Sequence, residues 1–279
     1  MQLDKKTAVI TGGAGGIGLG IARACLARGM RVVVSDVDAS RLAETADALR
    51  SDGGRVHDHA CDVRSLEAVE GLRDAALEAF GQVDLVCNNA GIGLARSVLD
   101  TADGDWELLF DVNVGGVVNG IRTFLPLMVE QGSGHLNATA SLSGLVGDPG
   151  LVTYDGTKFA VVGMMEGLAL ELLHEHPDVT CSVLCPGPVA TDLIASSGKH
   201  LSDAGSSDML STETGQEVAD YLAAGLNPDE VGRIAVDGIA AAKFWLLTHP
   251  ELTFEIMEPR FEAMKAGRLY VAGDWTEQR

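Results

Sequence analysis

Basic residues are scarce in this 279-residue chain: Lys and Arg together number 20 against 40 Asp and Glu, a formal net charge of −20. That balance repels phosphate backbones and anionic bilayers, so neither nucleic acid nor a membrane is an expected partner. The acidic excess reads as a solvated surface, with a cationic substrate as the alternative. Cysteine is sparse and unpatterned. The five, Cys25, Cys61, Cys87, Cys181 and Cys185, form no C-x-x-C pair and no dense framework. That excludes a disulfide scaffold and points to reduced thiols in a cytoplasmic protein. Cys181 and Cys185 in "CSVLCPG" would share one face of a strand as buried thiols rather than as a metal pair. No signal-peptide pattern opens the sequence, and no apolar run reaches about 18 residues. No repeat, Pro-rich linker or low-complexity tract divides it, so residues 1–279 read as one domain.

What is present is an alternation. Short β-branched runs ("TAVIT", "RVVVSD", "VDLVCNNAG", "VTCSVLCPGPV") are separated by longer helical stretches such as "SRLAETADALRSDGG" and "SLEAVEGLRDAALEAFG". Apolar strands interleaved with helices predict a parallel sheet covered on both faces, and right-handed crossovers make it a doubly wound α/β fold. Two stretches break the rhythm. Residues 192–228 are rich in Ser, Gly and Asp and read as a substrate lid. Residues 250–279 read as a C-terminal extension. Its aromatics, Phe254, Phe261, Tyr270 and Trp275, are expected to pack on the domain or a neighbouring subunit, or else to line the substrate cleft.

"TGGAGGIG", residues 11–18, follows the first strand at once and opens a helix. Gly12, Gly16 and Gly18 permit positive φ, let backbone N–H groups approach a pyrophosphate, and bring helix and strand close; Ile17 lies among them. The helix N-terminus adds partial positive charge. A tight turn alone would explain the glycines, but their place between first strand and first helix indicates a nucleotide site. The second strand ends in Asp36, an acid that can accept the adenosine ribose hydroxyls and repel a 2′-phosphate. The residues after it are Val37, Asp38 and Ala39, and no basic residue lies in the glycine loop, so NADP is expected to meet only negative charge and NAD is the expected cofactor. Asp38 or Ser40 is the better candidate for capping the next helix.

Over residues 5–192 the sequence resembles the short-chain dehydrogenase/reductase family. The resemblance rests on "TGGAGGIG", Asp62 in "CDV", "NNAG" at 88–91, Asn113 in "FDVNVGG", Ser141 in "TASLSG", Tyr154 and Lys158 in "YDGTK", and "PGPVATD" at 186–192. It implies a single Rossmann-like sheet of about seven parallel strands with helices on both faces. It further implies catalysis by Asn113, Ser141, Tyr154 and Lys158, with Asp62 and Val63 at adenine and Asn89, Ala90 and Gly91 along the ribose side. Pro186, Gly187, Val189 and Thr191 would hold the nicotinamide end. One departure is Asn137, four residues before the serine rather than three; Ala138 stands in the usual place.

The residue types suit that chemistry. Tyr154 and Lys158 are i and i+4 on a helix and share a face. A free phenol titrates near 10, and a base working near pH 7–8 needs that lowered by roughly 2–3 units, which an ammonium within about 4–6 Å and a bound nicotinamide cation would favour. Ser141 would hydrogen-bond the substrate oxygen as charge develops on it, and Lys158 has spare donors for the nicotinamide ribose. Asn113 would bend a helix and hold a water linking Lys158 to solvent. Taken singly, each has an ordinary reading as core aromatic, surface charge, turn hydroxyl or cap; jointly they indicate a site. His57, His59, His174 and His176 read as strand-end and helix-end residues, and no metal is expected.

The function expected is hydride transfer between a secondary alcohol and NAD, giving a ketone. Leu142, Leu145, Val146 and Leu151 predict an apolar cleft and a bulky, apolar or aromatic substrate. The lid and the "FWLLTHPE" segment look broadly similar to bacterial members of the family that oxidise aryl, sterol-like or terpenoid alcohols, including lignin-derived ones. The alternatives are a biosynthetic ketoreductase, which NADPH use would favour, and a catalytically idle NAD-binding sensor or structural subunit. The resemblance also implies a homotetramer, or a dimer.

Overall fold

The computed structural model describes residues 2–203 and 209–270. The chain runs β1 (Thr7–Thr11), α1 (Gly16–Ala27), β2 (Arg31–Asp36), α2 (Ala39–Ser51), β3 (Val56–Ala60), α3 (Leu66–Phe80), β4 (Leu85–Asn88), α4 (Asp103–Phe110), α5 (Gly116–Gln131) and β5 (Gly134–Thr139). It continues through α6 (Val152–Glu175), β6 (Val179–Cys185), α7 (Leu193–Asp203), α8 (Glu213–Ala223), α9 (Pro228–Ala240), β7 (Trp245–Leu247) and α10 (Pro250–Lys265). The seven strands form one sheet in the order β3-β2-β1-β4-β5-β6-β7, every pair parallel. This is the doubly wound, Rossmann-like arrangement expected.

The central strands are buried on both faces, so alternate residues serve two cores. Ala8, Ile10, Val32, Val34 and Leu184 pack under α1, α2 and α9. Val9, Val33, Val86, Leu136 and Val183 pack under α3, α5 and α6. All five cysteines are free and buried, with Cys181 and Cys185 in the second of these cores, as their shared strand face predicted. Helices α1 and α9 meet at Gly20 and Gly232, where a Cβ on Gly232 would overlap the Gly20 backbone. Local chemistry sets the helix ends: Asp38 caps α2, as expected, by accepting the Arg41 N–H at 3.1 Å, and Ser65 caps α3 through the Ala68 N–H.

In α/β sheets of this kind the crevice at the carboxyl ends of the strands is the ligand position, at the switch between β1 and β4. There a third, smaller apolar cluster of Ile92, Leu94, Ala95, Leu109, Ile194, Leu201 and Met209 caps the sheet. It joins the 92–95 loop, α4 and the 192–228 stretch. The described residues of that stretch, low in strand signal, include α7, a short 3₁₀ turn at Met209–Ser211 and α8. In the extension, Phe254 and Phe261 are exposed on α10 and Tyr270 is half-buried, so the first two do not pack on this chain's own domain; Trp275 lies outside the described residues. Between α4 and α5 the backbone widens into one π-helical turn, Asp111–Gly115. The continuous helical run Asp103–Gln131 is long and apolar enough by composition to cross a bilayer. Its apolar side, Val117, Phe124 and Met128, is spent on the core against the sheet.

Candidate active site

One cleft of about 1260 Å³ opens over the carboxyl ends of the strands. Gly12, Gly16, Ile17, Asp36, Asp62, Val63, Asn89, Ala90, Gly91, Ser141, Tyr154, Lys158, Pro186, Gly187, Val189 and Thr191 all line it. Of the catalytic and cofactor-binding residues expected from sequence, only Gly18 and Asn113 do not. Gly18 lies beneath the glycine loop, where a Cβ would collide with the Gly12 carbonyl. Asn113 is 1% exposed and sits behind the cleft wall.

The glycine loop forms a cradle. Gly12 adopts φ +64° and its Cβ would lie 2.8 Å from Ala90 Cα; Gly16 adopts φ +51° beside Thr191. Both conformations disfavour any side chain. Helix α1 starts at Gly16 with no side-chain cap and no acid in its first turn, which leaves its N–H groups to an anion. Asn89 ties the rim together: its Nδ2 donates to the Thr11 and Gly12 carbonyls at 3.1 and 3.3 Å, and its Oδ1 accepts Thr139 Oγ1 at 3.1 Å. Asp36 accepts the Ala14 and Asp38 N–H groups at 3.2 and 3.1 Å, so its carboxylate is held at the loop. An open helix terminus, a cradle that a Cβ would fill and a fixed acid at the end of β2 fit a dinucleotide.

The expectation that this end offers only negative charge needs correcting. The Arg41 guanidinium lies over Gly15 and is paired with Asp192 at 2.9 Å, and both residues line the cleft. Arg64 also lines it, paired to Asp62 at 2.6 Å. Arg41 is five residues past Asp36, in the first turn of α2, and that turn swings it back over the loop. Asp192 had no signal of its own, since only tertiary folding brings it to Arg41.

Around the reacting end, Lys158 Nζ lies 5.5 Å from the centre of the Tyr154 ring and donates to the Thr139 carbonyl at 2.9 Å. The Tyr154 phenol hydrogen-bonds Ser141. Ser141 Oγ in turn accepts the Ser143 N–H at 3.1 Å. The shared helix face of "YDGTK" is therefore realised, but the protonation levels differ from expectation. Burial pushes the Tyr154 phenol up to about 12, against the lowering hydrogen bond from Ser141. Burial also brings the Lys158 ammonium down to about 8. Desolvation penalises both charged forms and is the largest influence on each. A lowered phenol thus depends on further charge or solvation in the complete site.

Asn113 occupies the π-turn. Its Oδ1 accepts the Ile92 N–H at 2.8 Å, and its Nδ2 donates to Ile92 O at 2.9 Å and Thr157 Oγ1 at 3.0 Å. It braces the loop after β4; a Cβ on Gly91 would lie 3.2 Å from its Oδ1 and 3.4 Å from Lys158 Nζ. Asn137 points away from the cleft and donates to Ser182 Oγ at 2.9 Å, leaving the Thr139 carbonyl as the strand's contact with Lys158.

The remaining wall is largely apolar. Leu142, Val146 and Leu151 line it as expected, whereas Leu145 turns into the main core. Leu94, Val98, Leu108 and Val112 join from the 92–98 loop and the α4 region, Tyr221 and Leu222 from α8, and Ile256 from α10. Sequence reading missed these because each contributes one side chain from a segment without a motif. Among the described residues no cluster of His, Cys, Asp or Glu could hold a metal ion.

Comparison with known proteins gives consistent matches. Residues 6–202 match the family model described as short chain dehydrogenase. The CLA biosynthesis dehydrogenase/reductase of Lactiplantibacillus plantarum is 32% identical over 254 residues, 88% of each chain. The 3beta-hydroxysteroid dehydrogenase 2 of Eggerthella lenta is 36% identical over 195 residues, 68% of this chain and 74% of that one. Among solved structures, a short chain dehydrogenase/reductase from Burkholderia phymatum in complex with NAD superposes with a TM-score of 0.93 at 34% identity, covering 98% of this chain and 99% of that one.

Proposed function

The chain belongs to the short-chain dehydrogenase family of oxidoreductases, and on that premise we propose that it oxidises a bulky, largely apolar secondary alcohol to a ketone with NAD. The observation that carries this reading is the convergence of Tyr154, Ser141 and Lys158 in the cleft that also holds the glycine cradle. The residues that would hold the cofactor are the 12–18 loop, Asp36, Asp62 and Val63, the 89–91 segment and Pro186–Thr191. When bound, its nicotinamide supplies the hydride acceptor.

The chain's own groups do the rest. Tyr154 takes the hydroxyl proton as base. Ser141, whose Oγ accepts the Ser143 N–H, turns its one hydroxyl proton from Tyr154 to the substrate oxygen as charge develops there. Lys158 stabilises the phenolate while it is charged, and Asn113 holds the 91–92 backbone against it. The lid of α7 and α8 and the Leu94–Val112 wall exclude water. Their apolar character favours a substrate of sterol-like or aryl bulk, a reading in keeping with the hydroxysteroid dehydrogenase among its relatives. For the cofactor, Asp36 favours NAD, and the NAD complex of the Burkholderia relative supports the same choice. The family forms oligomers, and we take this chain to be a homotetramer or dimer.

Two alternatives stay in view. Arg41 beside the adenosine end favours a ketoreductase using NADPH; an idle sensor would have no need of the Ser141–Tyr154–Lys158 set. Rates with NAD and NADP over a panel of secondary alcohols, for wild type and Tyr154→Phe, decide among the three. Turnover with NAD that is lost in Tyr154→Phe is the expected result. Turnover confined to ketones and NADPH, or cofactor binding with no turnover in either protein, overturns the proposal.

A further inference from the structure

The peptide that joins Pro186 to Gly187 follows the end of β6, and both residues line the cleft. It is pinned at both edges. Its carbonyl, on Pro186, accepts the Leu142 N–H at 2.7 Å. Its N–H, on Gly187, donates to Thr248 Oγ1 at 3.0 Å. Leu142 directly follows Ser141, so one edge of this peptide is fixed to the neighbour of the serine. The other edge is fixed to the residue that follows β7. Further along, backbone holds backbone: the Pro188 carbonyl accepts the Leu226 N–H at 3.0 Å, and the Leu226 carbonyl accepts the Ala190 N–H at 2.9 Å. Of these four bonds, only that of the Gly187 N–H ends on a side chain. Thr248 is 7% exposed and stands behind the wall, outside the cleft lining.

The threonine is itself held. Its Oγ1 lies 2.8 Å from His249 Nδ1. Because Oγ1 already accepts the Gly187 N–H, the sense that spends every buried polar hydrogen has the threonine O–H donate to Nδ1. That sense needs a neutral ring with its proton on Nε2. Burial favours such a ring by lowering the His249 titration, against the raising effect of Glu230. The imidazole also packs on Gly187, where a Cβ would lie 2.7 Å from Nδ1, so only glycine fits. The His249 carbonyl accepts the N–H and the hydroxyl of Thr253 at 2.9 and 2.8 Å, which fixes residues 248–249 to the first turn of α10. Helix α10 in turn sends Ile256 into the cleft.

We propose that Thr248 is a positioning residue for hydride transfer: by holding the Gly187 N–H it sets the tilt of the 186–187 peptide, and so fixes the nicotinamide end of the cleft relative to Ser141. His249 fixes the rotation of the threonine hydroxyl. Without that hydroxyl the Gly187 N–H loses its acceptor, and the peptide is left with its bond to Leu142 alone. The inference deepens the proposed dehydrogenase reading and rests on it, since that reading assigns Pro186–Thr191 to the cofactor. The hold on the cofactor can be measured without turnover.

The test compares wild type with Thr248→Val, which keeps the shape and removes the acceptor, and Thr248→Ser, which keeps the hydroxyl. Dissociation constants are measured for NAD and for ADP-ribose, which lacks the nicotinamide. They are set beside kcat, KM and the deuterium isotope effect on kcat over a panel of secondary alcohols. Thr248→Val should bind NAD about tenfold more weakly and ADP-ribose as wild type does, because the released peptide lies at the nicotinamide end. Its kcat should fall about tenfold and its isotope effect should rise, since a misplaced nicotinamide makes the hydride step the slow one. Thr248→Ser should return to within about twofold of wild type on each measure. His249→Phe keeps a flat ring beside Gly187 and removes the acceptor of the threonine proton. It should show the same loss for NAD alone at about threefold, a second reading independent of how well Thr248→Val folds. Wild-type NAD affinity and rate in Thr248→Val, an equal loss for NAD and ADP-ribose, or a Thr248→Ser enzyme no better than Thr248→Val overturns the proposal. Wild type that oxidises no alcohol, while Thr248→Val still loses NAD and keeps ADP-ribose, sinks the dehydrogenase reading and leaves the hold of Thr248 on the nicotinamide end standing.

Discussion

Replacing Lys158 by Met gives the sharpest check on the proposed chemistry. The side chain is 5% exposed, so the apolar substitute fits a buried slot and leaves no unpaired charge. What is lost is a cation 5.5 Å from the Tyr154 ring. At that distance, with an effective dielectric of about 20, the attraction for a phenolate is about 3 kcal/mol, or roughly two pH units. Tyr154 already stands at about 12 in the chain alone, so the missing cation leaves the base further out of reach. In kcat at saturating NAD, the alkaline-rising limb should move up by about two pH units, and the rate near pH 8 should fall by about a hundredfold. Lys158→Arg, which keeps the charge, should keep most of the limb position. Because Lys158 also has donors for the nicotinamide ribose, KM for NAD will rise in both variants; the position of the limb, not the KM, is the reading. A Lys158→Met enzyme with lowered rate but an unmoved limb would refute the electrostatic argument and reduce the lysine to a binding group.

Three further outcomes follow from particular contacts. Asp36→Ser should reduce the preference for NAD over NADP by at least about tenfold, because Arg41 is then the dominant charge beside the adenosine end; steady-state KM values for both cofactors check it, and unchanged ratios would dismiss Asp36 as the discriminating group. Gly232→Ala should destabilise the protein by about 2–3 kcal/mol in urea titrations, since the added methyl falls on the Gly20 backbone where α1 meets α9; a neutral result would mean the helices separate at no cost. His135 is 2% exposed and bonded to Thr180 Oγ1 and Ser182 Oγ, and burial lowers it to about 4. Its neutral form is therefore the native one: the stability it contributes is intact above about pH 6.5 and is lost as pH falls from there toward 4. His135→Gln should flatten that part of the acid-side decline in denaturant midpoint.

Much of the fold could be read locally. The strand runs, the glycine loop and the caps at Asp38 and Ser65 depend on side chains within a few residues of one another, and parallel pairing with covered faces follows from the apolar strands. The 92–98 wall, the α8 residues and Ile256 were not legible, because each enters the cleft from a segment with no periodic or motif signal. Phe254 and Phe261 stand exposed on α10, so of the packing their bulk suggested, burial in this chain's own core is ruled out.

The sequence by itself determined which groups stand at a fixed spacing, Tyr154 before Lys158, since helix periodicity places such neighbours without help from the rest of the chain. Tertiary structure alone decided what surrounds them. It brought Arg41 to Asp192, 151 positions apart, and Lys158 Nζ to the Thr139 carbonyl. It also buried Lys158 and half-buried Tyr154, and that desolvation moves the lysine down and the phenol up. The division has one physical cause: spacing is a property of the backbone, whereas desolvation and long-range charge depend on every element that packs against the group.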